Sequence, residues 1–115
     1  MKPIERLDRA LSIRQPFVEL ILTGRKTAEY RGKPTANRGR VYLYAARSVN
    51  DITAYPLKEA LKLPRGLIVG SVEIVDCKPC EWGDGFAWLL AEPTRYAEPF
   101  RARGTPQPAF WFPTF

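Results

Sequence analysis

Apolar residues recur along the chain in short runs that polar, glycine or proline residues separate. Phe17, Leu20 and Ile21 are spaced by three and four positions, which predicts a helix over residues 16–23 with one apolar face. Gly24 suits the left-handed position that ends a helix. A two-turn helix is not stable alone, so packing against other elements must hold it.

The other apolar runs have the composition of strands, and the strongest is GLIVGSVEIVD at residues 66–76. Gly70 inside it indicates a bulge or a close approach of another backbone. Many prolines follow Glu92, so we expect no long regular element there. The remaining predictions are strands at 11–13, 41–45, 86–90 and 109–112, an extended segment at 26–31 and a helix at 56–63. This order predicts one α+β, mainly β domain over residues 1–115, built as a small barrel or sandwich.

Positive charge is concentrated in one part of the chain. The 115 residues carry a net charge of +6, and the window from Arg25 to Arg47 holds seven cations and one acid, Glu29. The rest of the chain is balanced. A localised positive field favours an anionic partner, most commonly a nucleic acid. An acidic protein partner, or a basic loop without a partner, would give the same pattern.

The composition excludes several kinds of chemistry. The chain has no histidine, so a Ser-His-Asp or Cys-His mechanism is excluded. Cys77 and Cys80 are the only cysteines, and two thiolates do not fill a tetrahedral zinc site. There is also no glycine-rich phosphate motif, so we predict neither a metal nor a cofactor. No apolar run reaches the ~18 residues of a membrane span and no secretory signal is visible, so we predict no membrane association and a cytoplasmic location.

Two motifs near the N-terminus are more specific than the composition. They are SIRQPF at residues 12–17 and GRKTAEYR at residues 24–31. With the valine-rich strand ending at Asp76 and the late Trp88, they make residues 11–113 resemble an ASCH domain of the PUA-like superfamily. The resemblance implies a small β-barrel flanked by short helices, with a cleft, and a role with nucleic acids or nucleotides.

The resemblance also implies two candidate activities, hydrolysis of the acetyl amide of N4-acetylcytidine and cleavage of RNA. The family's amidohydrolases use a lysine that corresponds to Lys26. They have a threonine where this chain has Glu29, so the hydroxyl nucleophile is absent there. Glu73 and Glu81 are both candidates for the third residue.

Lys26 and Glu29 form either a buried acid–base pair or an exposed ion pair of little energetic weight. In a regular strand these two side chains face opposite sides, so their pairing requires a turn or bulge between them. Arg31 lies on the same side as Glu29, where it either orients the carboxylate or binds phosphate.

Further candidates surround this motif. Arg14 and Gln15 precede the first helix, where they either bind an anion or, for Gln15, cap the helix. Arg38, Arg40 and Arg47 are predicted to contact backbone phosphates. Trp88 and Trp111 either stack on a base or pack in the core, and a small barrel favours the core. We therefore predict a domain that binds RNA or a modified nucleoside. The alternatives are an amidohydrolase or ribonuclease, with Lys26 and Glu29 as catalytic residues, and a protein-interaction module.

Overall fold

The computed structural model describes residues 5–115, in which six strands form a single sheet and two short helices connect them. The elements are β1 (Ala10–Gln15), α1 (Phe17–Leu22), β2 (Ala28–Arg31), β3 (Gly39–Val49), α2 (Leu57–Ala60), β4 (Leu67–Pro79), β5 (Phe86–Phe100) and β6 (Phe110–Trp111). The strand order is β2-β5-β4-β3-β1-β6, and only the β1–β3 pair is parallel. The sheet is a curled half-barrel, which confirms the predicted α+β, mainly β fold class.

Alternation along the strands divides the core between the two faces of the sheet. On β3, Val41 and Leu43 face the cluster that helix α1 covers, while Tyr42 and Tyr44 face a second cluster rich in aromatic residues. Eight residues of these clusters, from both faces, are completely inaccessible to solvent: Ala10, Leu11, Val18, Tyr42, Leu43, Ala45, Ile68 and Val72. Of the predicted apolar face of α1, Ile21 belongs to the first cluster, Phe17 packs against it and Leu20 is buried. Val18, which the predicted face did not include, is buried in the same cluster.

Helix α1 lies directly on β4 at Gly70. A Cβ atom there would lie 2.1 Å from the carbonyl oxygen of Thr94 and 3.0 Å from Cδ2 of Leu22. The predicted close approach at Gly70 is therefore confirmed, and the β4 ladders also shift register beside it. Helix α1 is also bonded to β5. The two terminal nitrogens of Arg95 on β5 donate to the two carboxylate oxygens of Glu19 on α1 at 2.9 and 2.7 Å.

The prediction that no long element follows Glu92 is wrong. Strand β5 continues to Phe100 and includes Pro93 and Pro99. Both prolines fall where the β4–β5 ladder shifts register, and Glu92 beside the first shift has a φ of +50°. Proline has no N–H to donate, so a strand tolerates it at such unpaired positions.

Several predicted elements are shorter than expected, including the second helix and the segment that carries Lys26. Helix α2 covers only Leu57–Ala60 of the predicted residues 56–63. The extended segment predicted over 26–31 is a strand only from Ala28. Lys26 therefore precedes the strand instead of lying within it.

Side chains join the two ends of the curled sheet. Arg31 on β2 donates from NH2 to the carbonyl oxygen of Ser12 on β1 at 2.8 Å. Trp88 on β5 stacks on Phe110 of β6, with ring centroids 5.5 Å apart and planes at 5°. We call this line of contacts, made by Ser12, Arg31, Trp88 and Phe110, the seam. Within residues 5–115, no helix has the length and apolar character needed to cross a membrane.

Candidate functional site

A cavity of about 740 Å³ lies beside the seam, and both Ser12 and Arg31 line it. Residues of β1, α1, β2 and β3 and the segment 106–108 form its walls. The charged side chains among the lining residues are four cations and one carboxylate: Arg14, Lys26, Arg31, Arg47 and Glu29. The positive window of the sequence therefore contributes most of the charge of a single concave surface.

Glu29 is shared between two cations in the wall of this cavity. Its Oε2 accepts from Nε of Arg31 at 2.8 Å, and its Oε1 lies 3.5 Å from Nζ of Lys26. The side chains of Lys26, Glu29 and Arg31 are only 16%, 10% and 24% exposed, respectively. Low exposure strengthens such pairs and also makes the loss of one partner costly.

The chain brings these three groups together through a turn and a short strand. Gly24 ends helix α1 with a φ of +80°, and the N–H of Lys26 then donates to the carbonyl of Leu20 at 2.9 Å. From Ala28 the chain is a strand, so Glu29 and Arg31 point to the same side. The turn lies at residues 23–25, before Lys26, and not between Lys26 and Glu29. The two side chains can meet because Lys26 lies in an irregular segment ahead of the strand, where the alternation does not apply.

Aromatic rings hold the two cations on either side of the carboxylate. Nζ of Lys26 lies 5.2 Å from the centre of the Phe17 ring and 5.0 Å from that of Tyr30. Cζ of Arg31 lies 5.5 Å from the centre of the Trp88 ring. Contacts of this kind attract a cation to the face of the ring.

Trp88 supports the site from within the core. The residue is 4% exposed, and its Nε1 donates to the carbonyl of Lys33 at 3.0 Å. Its ring already stacks on Phe110. Trp88 was expected either to stack on a base or to pack in the core, and its position in the structure is that of a core residue. Trp111, at 4% exposure, is buried as well.

Arg14 and Arg47 form the exposed part of the cationic lining. NH1 of Arg14 donates to Oδ1 of Asn50 at a long 3.3 Å. The Arg47 guanidinium lies against Gly66, where a Cβ atom would be 3.2 Å from Cζ. Neither arginine forms an ion pair with an acidic residue in the part of the chain that the structure describes. Both guanidinium groups can therefore bind an anion at the cavity.

Gln15 lies outside the cavity lining, although its neighbour Arg14 is part of it. Gln15 is 1% exposed, its Nε2 donates to the carbonyl of Pro64 at 3.0 Å, and its Oε1 accepts from the N–H of Glu19 at 3.1 Å. The side chain therefore fastens the first turn of α1, as in the capping interpretation.

Arg38 and Arg40 also lie outside the cavity, and protein groups engage both. Arg38 donates to the carbonyls of Thr35 and Asn37 and lies 3.7 Å from Asp76. Arg40 donates to Oγ of Ser71 at 3.2 Å and to the carbonyl of Glu92 at 2.5 Å. It also lies 3.5 Å from a carboxylate oxygen of Glu5. The structure thus separates these two arginines from the other predicted site cations.

The two glutamates considered as a third catalytic residue are not in the cavity lining either. Glu73 lies on β4, opposite Arg40 in the ladder. Glu81 is exposed in the turn between β4 and β5.

The sequence predicts no role for two residues in this region, Ser12 and Trp82. Oγ of Ser12 is buried and has no hydrogen-bond partner among residues 5–115, and Ser12 lines the cavity. Trp82 is 75% exposed, and its ring centroid is 6.4 Å from that of Tyr30 at the cavity. The signal available for Trp82 was its position in a Glu-Trp-Gly-Asp-Gly turn, because a tryptophan in a tight turn has little core to pack against.

Metal-ligating side chains do not gather around the cavity. Over the described range 5–115, no three histidine, cysteine, aspartate or glutamate residues lie close enough together to hold an ion. Cys77 and Cys80 are both free thiols near the β4–β5 turn.

The curled sheet, its two short helices and the cavity at its seam define a small, mainly β, barrel-like domain. Residues 11–103 match the family model of the ASCH domain, so the chain belongs to the ASCH family. A search of curated proteins finds no significant match.

Proposed function

We propose that this ASCH domain binds RNA, or a modified nucleoside within RNA, in the cavity beside the seam. The observation that carries the proposal is the charge arrangement of one concave surface. The only carboxylate among its lining residues, Glu29, already has two cationic partners, while Arg14 and Arg47 remain open to an anion. Family membership supports the same class of ligand, because ASCH domains are often linked to RNA binding.

The size and walls of the cavity fit a nucleotide. Its volume of about 740 Å³ is within the ~300–1,000 Å³ of small-molecule sites. Phe17, Tyr30 and Tyr44 contribute aromatic walls for a base. Arginine side chains at the opening can bind a phosphate with two parallel hydrogen bonds.

A titration of short RNAs against salt tests this proposal. We expect binding at low salt that weakens steeply as salt rises, because phosphate contacts release counterions. Lys58→Ala, an exposed cation on α2 outside the cavity lining, serves as the control and should bind like the wild type. Absence of binding even at low salt would contradict the proposal.

A second candidate function is hydrolysis of N4-acetylcytidine. Its support is the ion pair of Lys26 and Glu29 in the cavity wall, 3.5 Å apart. Water would add to the acetyl carbonyl and the C–N bond would break, giving acetate and cytidine, with Lys26 as general base. Binding is proposed first because both oxygens of Glu29 are already engaged by cations. Glu29 would then stabilise charge instead of taking a proton.

Incubation with N4-acetylcytidine tests this second candidate. Wild type should release cytidine, and Lys26→Ala should not. No product from the wild type, or equal product from both proteins, would remove the candidate. Neither result bears on binding, which the RNA titration measures separately.

A further inference from the structure

The turn between β4 and β5 presents an aromatic ring to solvent beside the cavity. Trp82 is 75% exposed and Tyr30 is 50% exposed, and their ring centroids are 6.4 Å apart with planes at 49°. Tyr30 itself lines the cavity. Together the two rings form an apolar surface that continues from the cavity wall to the outside of the protein.

This turn is fixed relative to β2, so the position of Trp82 is defined in advance. A Cβ atom at Gly85 would lie 2.9 Å from the carbonyl oxygen of Arg31, which shows how closely the two backbones pack. The N–H of Cys80 donates to the carbonyl of Gly85 at 3.0 Å and closes the turn. Phe86, which follows, pairs with Arg31 in the β2–β5 ladder. Fixed aromatic groups bind with little loss of conformational entropy.

The charges near the turn indicate which part of a ligand can bind against the two rings. Glu81 and Asp84 flank Trp82 and are exposed, so they repel a phosphate at the tip. Carboxylates instead accept hydrogen bonds from the exocyclic amines of bases. Positive charge lies at the cavity end of this surface, because the lining residue Lys26 has its Nζ 5.0 Å from the centre of the Tyr30 ring. This arrangement suits a strand whose base lies on Trp82 and whose phosphates lie toward the cavity.

We propose that Trp82 and Tyr30 form a platform on which a base of an RNA strand stacks while the neighbouring nucleotide occupies the cavity. The inference rests on the proposed function and narrows it, because the ligand becomes an RNA strand of at least two nucleotides instead of a free nucleoside. Base–aromatic stacking tolerates any base, so the platform adds affinity more than sequence choice.

Binding of two probes to matched variants tests the platform. The probes are a fluorescein-labelled AAACAAA RNA heptamer and cytidine 5′-monophosphate, both at low salt. Trp82→Ala should weaken heptamer binding by about 5- to 100-fold and leave monophosphate binding within about twofold of the wild type. Trp82→Phe keeps a stacking face and should retain most of the heptamer affinity. Phe112→Ala removes an aromatic residue that is 64% exposed and outside the cavity lining, and it should bind both probes like the wild type.

The remaining outcomes separate the platform from the proposed function. Unchanged heptamer binding by Trp82→Ala would overturn the platform, while loss of heptamer binding in Arg14→Ala would still support the cavity. Equal weakening of both probes by Trp82→Ala would place Trp82 in the single-nucleotide site and overturn the flanking-base inference. If the wild type bound neither probe, the proposed function would fail together with the platform. Trp82 is exposed, so its variants should fold, and thermal unfolding would verify this.

Discussion

Lys26, just before strand β2, forms an ion pair with Glu29 on that strand, with Nζ 3.5 Å from Oε1, and the same carboxylate also accepts from Arg31 at 2.8 Å. Two cations therefore depend on one anion in a wall where all three side chains are largely buried. In such a group, removing the anion should lower the stability of the protein by a different amount from removing one cation.

We predict that Glu29→Gln destabilises the protein more than Lys26→Met. Glu29→Gln leaves two poorly solvated cations without their partner, which should cost about 2–3 kcal/mol. Lys26→Met keeps the Arg31–Glu29 pair and most of the contact with Phe17 and Tyr30, so it should cost about 1 kcal/mol or less. Urea denaturation of both variants measures the difference. Equal costs would mean that the three groups do not act as a unit.

The exposed arginines of the cavity should control the salt dependence of RNA binding. Arg14→Ala and Arg47→Ala should each weaken binding and lower the slope of log K against log salt by about one. Arg38→Ala is the matched control, because Arg38 is an arginine of the same sequence window that lies outside the cavity. A slope that falls equally in all three variants would show that the general charge of the protein, and not the cavity, attracts the RNA.

We predict that Ser12→Ala affects the stability of the protein and its binding of RNA differently. The buried Oγ of Ser12 has no partner in residues 5–115, so its removal should leave the free energy of unfolding unchanged or raise it by up to about 1 kcal/mol. If RNA in the cavity forms a hydrogen bond with this hydroxyl, Ser12→Ala should also weaken RNA binding. Thr53→Ala, at an exposed hydroxyl outside the cavity lining, is the control and should leave binding unchanged. A large loss of stability in Ser12→Ala would contradict this prediction.

Gly70→Ala should be among the most destabilising single changes in the protein. The new methyl group would lie 2.1 Å from the carbonyl oxygen of Thr94, so β4 and β5 would have to move apart, at a cost of about 3 kcal/mol or more. Gly32→Ala is the control, because a Cβ atom there has no neighbour within 4 Å. Thermal unfolding should show a clearly lower Tm for Gly70→Ala and little change for Gly32→Ala.

The two motifs of the sequence predict the part of the site that depends on local geometry. The glycine after α1 and the alternation from Ala28 are enough to bring Lys26, Glu29 and Arg31 to one place. Alternation also separates Arg14 from Gln15 on β1, but the strand predicted at residues 11–13 ended before both of them.

Other parts of the fold depend on residues far apart in the chain. The ion-pair partners of Arg38 and Arg40 are Asp76 and Glu5, 38 and 35 positions away, and no local pattern identifies them. The continuation of β5 through Pro93 depends on a register shift against β4, which composition does not reveal. Contacts between residues far apart in the chain therefore determine which cations of the window from Arg25 to Arg47 line the cavity.

The contacts between the two ends of the curled sheet also determine how a ligand can enter. The seam consists of side-chain contacts, such as Arg31 on the Ser12 carbonyl and Trp88 on Phe110, and not of a backbone ladder. Parting Arg31 from Ser12 breaks one hydrogen bond and leaves every strand pair in place. For an RNA ligand, entry from the side requires no free end to be threaded. A nucleotide in the interior of a long or circular RNA would then be as accessible to this domain as one at a terminus.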